Sequence, residues 1–303
     1  MYTFEVPVTR PCPPPCRFVP QLVPILRAKS TASLEVLRAA VRVLGSMGHR
    51  ASARRVMHDP DTAEGLMYVL SFPDSSSNRL HVAIIAALDD MRDTSTLANL
   101  LAVEGAPETF WREAHSRNVD VNVPARGLVG TAMGSAACRK RLGLKERTKR
   151  LTELIAKMVG EAPVREEYTI AKRGATDDDE DANWQLRDIA ALPARTTATL
   201  AAIVDGLSAE VAADDEFVEA LSRHEAWNLF VPMAVAQPPV SASALQCLRI
   251  AMGKTQHAID AVNGLGLPVW LLQCREPSNY SDDFNANVAT TLLTQVKDLQ
   301  LVT

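Results

Sequence analysis

The densest group of chemically capable side chains lies between residues 139 and 150. Arg139, Lys140, Arg141, Lys145, Arg147, Lys149 and Arg150 stand there against a single acidic residue, Glu146. Such a run could hold the phosphates of RNA or of acidic lipid headgroups, or an acidic peptide. No aromatic side chain is interleaved with these cations, so bases have nothing to stack on and nucleic acid is a poor fit. The plainer reading is a solvated helix end, with the acidic run from Asp177 to Asp181 available to fold back and neutralise it.

Other chemistry is thinly supported. Cys12 and Cys16 enclose three prolines, but a metal site needs about four ligands and no histidine pair lies near them. They read as free thiols on an extended arm. The six histidines, His49, His58, His81, His115, His224 and His257, are scattered, and His224-Glu225 lacks a second histidine at zinc-protease spacing. No serine occupies a nucleophile-elbow pattern. Gly127, Gly130 and Gly134 are not followed by Gly-Lys-Ser/Thr and are not preceded by a strand pattern, so they do not form a phosphate loop. Gly130 and Gly134, at helical spacing with Ala137 next, instead let two helices approach closely. The sequence therefore offers no catalytic, metal or cofactor site and reads as a non-enzyme.

Trp111, Trp227 and Trp270 recur in similar surroundings, each within a short helical stretch that closes a group of helices. They are candidates either for partner contact or for filling space between neighbouring helices.

These residues must be positioned by helices. Hydrophobic residues make up 47% of the chain and aromatics only 5%, a balance that suits helices packed through small side chains and gives little support to sheet. The formal net charge of −4 gives no chain-wide reason to expect nucleic acid or membrane binding. The cysteine count is odd, at five, and Cys138 and Cys247 fall within helical patterns as small apolar groups, which points to a reducing compartment. The N-terminus lacks the pattern of a signal peptide, and no stretch approaches the roughly 20 apolar residues that span a bilayer. A cytoplasmic location is expected.

Residues 1–16 are Pro-rich and predict a flexible, extended arm. From residue 17 to residue 303 the chain predicts an array of helices. Apolar spacing predicts opening helices at Leu34 to Leu44, Leu80 to Met91, from near Pro124 to Ala137, Thr196 to Leu207, Ser241 to Met252 and Asn287 to Leu299. Closing helices follow at Thr62 to Phe72, Glu108 to His115, Arg150 to Val159, Trp227 to Ala236 and from Leu267-Pro268 onward. Similar positions in successive openers are Val36, Val82, Leu128, Thr199, Leu245 and Ala289, at separations of 46, 46, 71, 46 and 44 residues. The one long gap holds residues 160–195, whose acidic run and sparse apolar content predict a disordered insertion.

A period of about 40–47 residues with two or three helices per unit resembles armadillo and HEAT arrays. The resemblance implies an all-α, right-handed solenoid of about five to six units. In armadillo arrays the third helices line a concave groove that holds an extended peptide or helix, so the implied function is a non-catalytic scaffold binding other proteins. The importin-like pairing of Trp with Asn four residues later is missing, since His115, Val231 and Cys274 stand at that distance. A narrower resemblance rests on Ser243-Ala-Leu-Gln-Cys-Leu248 and on Ala258 to Leu272. These are similar to the C-terminal armadillo region of the endosomal DnaJ scaffold family of the receptor-mediated endocytosis type. That likeness implies endosomal sorting, with a peripheral place on endosomes and sorting-nexin-like and actin-regulating partners. The family's J domain is not matched: His58-Asp59-Pro60 lacks the His-Pro-Asp order. A last helix that completes no repeat fits a fragment of a longer scaffold. The alternative function is an array that binds phosphates, on phosphoinositide membranes or RNA, through residues 139–150.

Overall fold

The structure is a computed structural model. It describes residues 59–71, 78–91, 93–171, 183–187, 189–234, 236 and 239–264, with isolated helical positions at 24, 35–36, 39–41 and 43. The expected arm at 1–16, the acidic run, the final helix and Trp270 lie outside the described residues. The chain divides into two compact units, Met1–Met91 and Arg92–Thr303.

In the first unit, α1 (Pro60–Ser71) packs on α2 (Asn78–Met91). Asp59 Oδ2 accepts from both the backbone N–H and the hydroxyl of Thr62, each at 3.0 Å, while Pro60 takes the first helical position, where its missing N–H costs nothing. Leu66, Leu70, Ile84, Ile85 and Leu88 are buried.

The second unit begins with α3 (Thr94–Leu100), α4 (Ala106–Ala114), α5 (Val119–Met133), α6 (Ala136–Leu142) and α7 (Thr148–Gly160). After the insertion come α8 (Ala194–Ala213), α9 (Asp215–Arg223), α10 (Ala226–Ala234), α11 (Val240–Met252) and α12 (Gln256–Gly264). Local chemistry sets several of the starts. Asp93 caps α3 by accepting from Thr96 N–H, Asn118 caps α5 through Asp120 N–H, and Asp214 caps α9 through Glu216 and Phe217 N–H. The Asn118 cap moves the start of α5 upstream of the expected position near Pro124, which lies inside the helix. The basic run from residue 139 to 150 contains the end of α6, a turn at Gly143 with φ +60°, and the start of α7.

The helices form triplets that end, rather than begin, with the long helix: α3-α4-α5, α6-α7-α8 and α9-α10-α11. α4 packs along α5 and α10 along α11, and the three long helices stack in order, α5 on α8 and α8 on α11. The openers expected near Pro124, at Thr196 and at Ser241 are therefore the third helices of their units. A repeat period is cyclic, so spacing fixes its length and leaves its starting point open. Along the long helices the core of this unit is aliphatic, with Leu128, Leu200, Ile203, Leu207, Leu245 and Leu248 buried, while Trp111, Phe217, Trp227 and Phe230 are buried on the shorter ones.

The insertion departs from its expected disorder. β1 (Val164–Ala171) and β2 (Asn183–Arg187) pair antiparallel, with Ile170 opposite Trp184, Ala171 opposite Asn183, and an irregularity between Val164 and Thr169. The short segments on either side of the acidic run carry Val, Tyr, Thr, Ile and Trp, which favour extended pairing. Averaged over the whole insertion, the acidic composition conceals them. A single 3₁₀ turn (Ile189–Ala191) then leads into α8, and Ile189 and Leu192 are buried.

Candidate functional site

The basic stretch is mostly paired. Arg139 Nε donates to Glu210 Oε1 of α8 at 2.5 Å, and its Nη1 donates to the Met133 carbonyl at the end of α5 at 2.6 Å. Its side chain is only 12% exposed, so this cation is a strut between two third helices. Lys145 Nζ contacts Glu216 and lies 3.9 Å from Asp214, and the hydrogen bond to Glu216 raises the pKa of its ammonium. Arg147 reaches Glu108 of α4 at 2.8 Å and also donates to the carbonyl of Leu142. Lys149 sits 4.0 Å from Glu153, one turn along α7. Arg141 is exposed, with its guanidinium on the Ala98 carbonyl. Lys140 and Arg150 are exposed, and neither forms a salt bridge among the described residues. The neutralising carboxylates come from α4, α7, α8 and α9, all separate from the acidic run expected to supply them.

The tryptophans are interior. Trp111 in α4 is 0% exposed, and its indole Nε1 donates to the Leu142 carbonyl at 3.3 Å, the acceptor Arg147 also uses. Its own carbonyl meets His115 Nδ1 at 2.9 Å. Trp227 in α10 is 1% exposed and donates to Ser222 Oγ at 2.8 Å. Both stand on second helices, and both fill space between helices. Trp270 lies outside the described residues.

Of the small residues expected to bring two helices together, Gly130 does so. A Cβ at Gly130 would lie 3.3 Å from the Thr199 methyl and carbonyl, so α5 and α8 approach closely there. Gly134 and Ala137 take no such part: Gly134 meets only its own helix, and Ala137 is exposed on α6. The second half of the contact comes from Gly206 on α8, which sequence reasoning passed over. Cys138 and Cys247 are buried and free, and burial pushes the Cys247 thiol up to about 12.

One polar group missed in the sequence is Arg126. It sits inside the apolar run of α5 and is 2% exposed. Its Nη1 donates to both Glu161 oxygens, at 2.9 and 3.0 Å, and its Nε donates to the Ala114 carbonyl at 3.4 Å. Its Nη2 is buried without a hydrogen-bond partner and belongs to a residue lining a small cavity at the α5–α8 seam. A lone arginine within Val-Pro-Ala-Arg-Gly-Leu-Val was the available signal. Among the described residues, no cluster of His, Cys, Asp and Glu is arranged to hold a metal ion.

Triplets of helices with stacked third helices define an armadillo-type helical repeat fold. The solved structures agree. A computationally designed armadillo repeat protein for modular peptide recognition superposes with a TM-score of 0.62 at 12% identity, covering 91% of this chain and 99% of that one. A designed armadillo repeat protein gives 0.59 at 13% identity over 92% and 99%. Another, in complex with a (KR)4 peptide, gives 0.58 at 12% identity over 91% and 99%. At such identities the likeness is one of fold. No protein-family model matches the chain, and no curated protein matches it. The endosomal DnaJ scaffold resemblance gains no support from these comparisons. No described helix is long and apolar enough to cross a membrane.

Proposed function

We propose that this chain is a non-catalytic scaffold that binds an extended segment of another protein along its third helices, α5, α8 and α11. The observation that carries this reading is the ordered stack of those helices, in the place where armadillo arrays present their groove. Designed proteins of the same fold include one made for peptide recognition and one bound to a peptide, which supports protein partners as the ligand class. Several exposed positions on the stack are small or polar, among them Asp120, Ala198, Asp205, Ala242 and Gln246. They leave backbone and side chains of a guest room to lie close. Binding does not run through Trp111 or Trp227, because neither reaches the surface.

The test is selection of peptides from a random display library against the full chain, followed by hydrogen exchange on the complex. Protection along α5, α8 and α11 is expected. Ala198→Arg with Gln246→Arg should weaken the selected peptides by about tenfold or more, equivalent to about 1.4 kcal/mol. Failure to enrich any peptide, or protection confined to α4 and α7, overturns the reading.

The narrower endosomal role, through sorting-nexin-like and actin-regulating partners, rests on the sequence resemblance alone. A pull-down that recovers no trafficking protein removes it. Phosphate binding through residues 139–150 is the weaker alternative, because Arg139, Lys145, Arg147 and Lys149 already face carboxylates.

A further inference from the structure

An arginine stays protonated at any accessible pH and offers five N–H donors. Burying one of its amino groups without an acceptor costs free energy that the fold must offset elsewhere. Arg126 is in that position at Nη2, while its other two nitrogens are engaged by Glu161 and by the Ala114 carbonyl. The cavity it lines is bounded by Val123 of α5, Met158 of α7, and Arg195, Thr196 and Thr199 of α8.

Every polar side chain of that lining can donate, and none is a carboxylate. Thr196 and Thr199 contribute hydroxyls, and Arg195 is exposed at the rim. α8 is 20 residues long and begins here after Pro193, with no side-chain cap, so its first turn adds uncapped N–H groups and the positive end of the helix. Val123 and Met158 supply apolar walls, which strengthen any hydrogen bond made between them. The cavity has room for about one oxygen-sized group. A phosphate brings four oxygens and more charge than a guanidinium already half-engaged by Glu161 can balance.

We propose that this cavity receives one oxygen of a carboxylate on a bound protein segment, with Arg126 Nη2 as its buried donor and the second oxygen left at the rim. The inference rests on the scaffold reading for the source of the carboxylate, and it adds what that reading lacks, a chemical preference at a named point of the third-helix stack. The carboxylate belongs either to an acidic side chain of the guest or to its chain terminus.

The experiment uses the full chain with ¹⁵N-labelled arginine and backbone. Three probes are titrated: N-acetylaspartate amide for an acidic side chain, N-acetylglycine for a chain terminus, and inorganic phosphate. Saturable shifts of the Arg126 Nε–Hε signal and of the Thr196 amide are expected with one carboxylate probe or both, and which one responds identifies the source. Thr196→Val with Thr199→Val keeps the side-chain shape and should weaken the response about tenfold, with an unchanged unfolding midpoint showing that the fold persists. A response to phosphate alone, no response to either carboxylate, or an undiminished response in the double variant overturns the proposal. So does a crystal soaked in either carboxylate probe that shows only an ordered water on Nη2. Library peptides that bind wild type and the double variant equally leave the scaffold reading intact and remove the pocket. Carboxylate shifts without any peptide binding do the reverse.

Discussion

Gly206 of α8 lies against the backbone of Met133 at the end of α5: a Cβ at position 206 would fall 2.5 Å from the Met133 carbonyl oxygen and 2.7 Å from its Cβ. The same carbonyl accepts from Arg139, so the end of one third helix is held by a close glycine contact and by a guanidinium.

Gly206→Ala should destabilise the protein despite the higher helix propensity of alanine, worth about 1 kcal/mol. The obstacle is backbone, which cannot rotate away, and overpacking of this kind costs about 1–3 kcal/mol or more. Gly130→Ala meets its neighbours at 3.3 Å and should cost less. Urea midpoints compare the two, and a raised midpoint for Gly206→Ala would show that α5 and α8 are not in contact there.

Arg139→Met should lower stability by about 1–3 kcal/mol, because the Met133 carbonyl and Glu210 lose a charge-assisted donor together. Lys140→Ala and Arg150→Ala should stay within about 0.5 kcal/mol. A double-mutant cycle of Arg139→Met with Glu210→Gln measures the pair directly. Additivity of the two changes would mean the ion pair contributes nothing. For the same reason, phosphate binding is better tested with Lys140→Glu and Arg150→Glu, which spare the strut. Phosphoinositide vesicles should bind wild type and this variant alike.

Trp227→Ala should cost about 3–5 kcal/mol, the usual loss for a large buried aromatic side chain. Trp227→Phe should cost less, since Ser222 Oγ keeps its bond to the Val218 carbonyl at 2.9 Å when the indole donor is removed. Denaturant unfolding separates the two variants. A loss of peptide binding in Trp227→Phe at full stability would place the ring in a binding surface and contradict its burial.

Cys247 gives a pH signature. Its thiol is held at about 12 in the folded chain by burial, against 9.0 for an exposed thiol. The unfolded state therefore loses its proton first, and stability from this group is complete below pH 9. It falls as pH rises toward 12, by at most about 1.4 kcal/mol per pH unit. Cys247→Ala should flatten that slope. In the native protein at pH 8, Cys138 and Cys247 should resist alkylation until denaturant is added, and rapid labelling of Cys247 would show that it is not enclosed.

The sequence by itself determined the class of this protein. Apolar residues at helical spacing, repeated every 46 residues through Val82, Leu128, Thr199 and Leu245 with one long gap, are enough to specify helices that must stack to hide their apolar faces. Tertiary structure decided the rest. The phase of the repeat came from packing, because α4 lies along α5 and α10 along α11, and spacing alone cannot say which helix closes a unit. The tryptophans and the basic stretch changed meaning for a common reason. Whether Trp111 meets solvent depends on the Leu142 carbonyl that covers its indole, and whether Arg139 is free depends on Glu210, 71 residues away. Arg126 shows the limit most sharply. Its type and its place in α5 were legible, but the open donor at Nη2 exists only where α7 and α8 close around it, and contacts between distant segments leave no mark in local spacing.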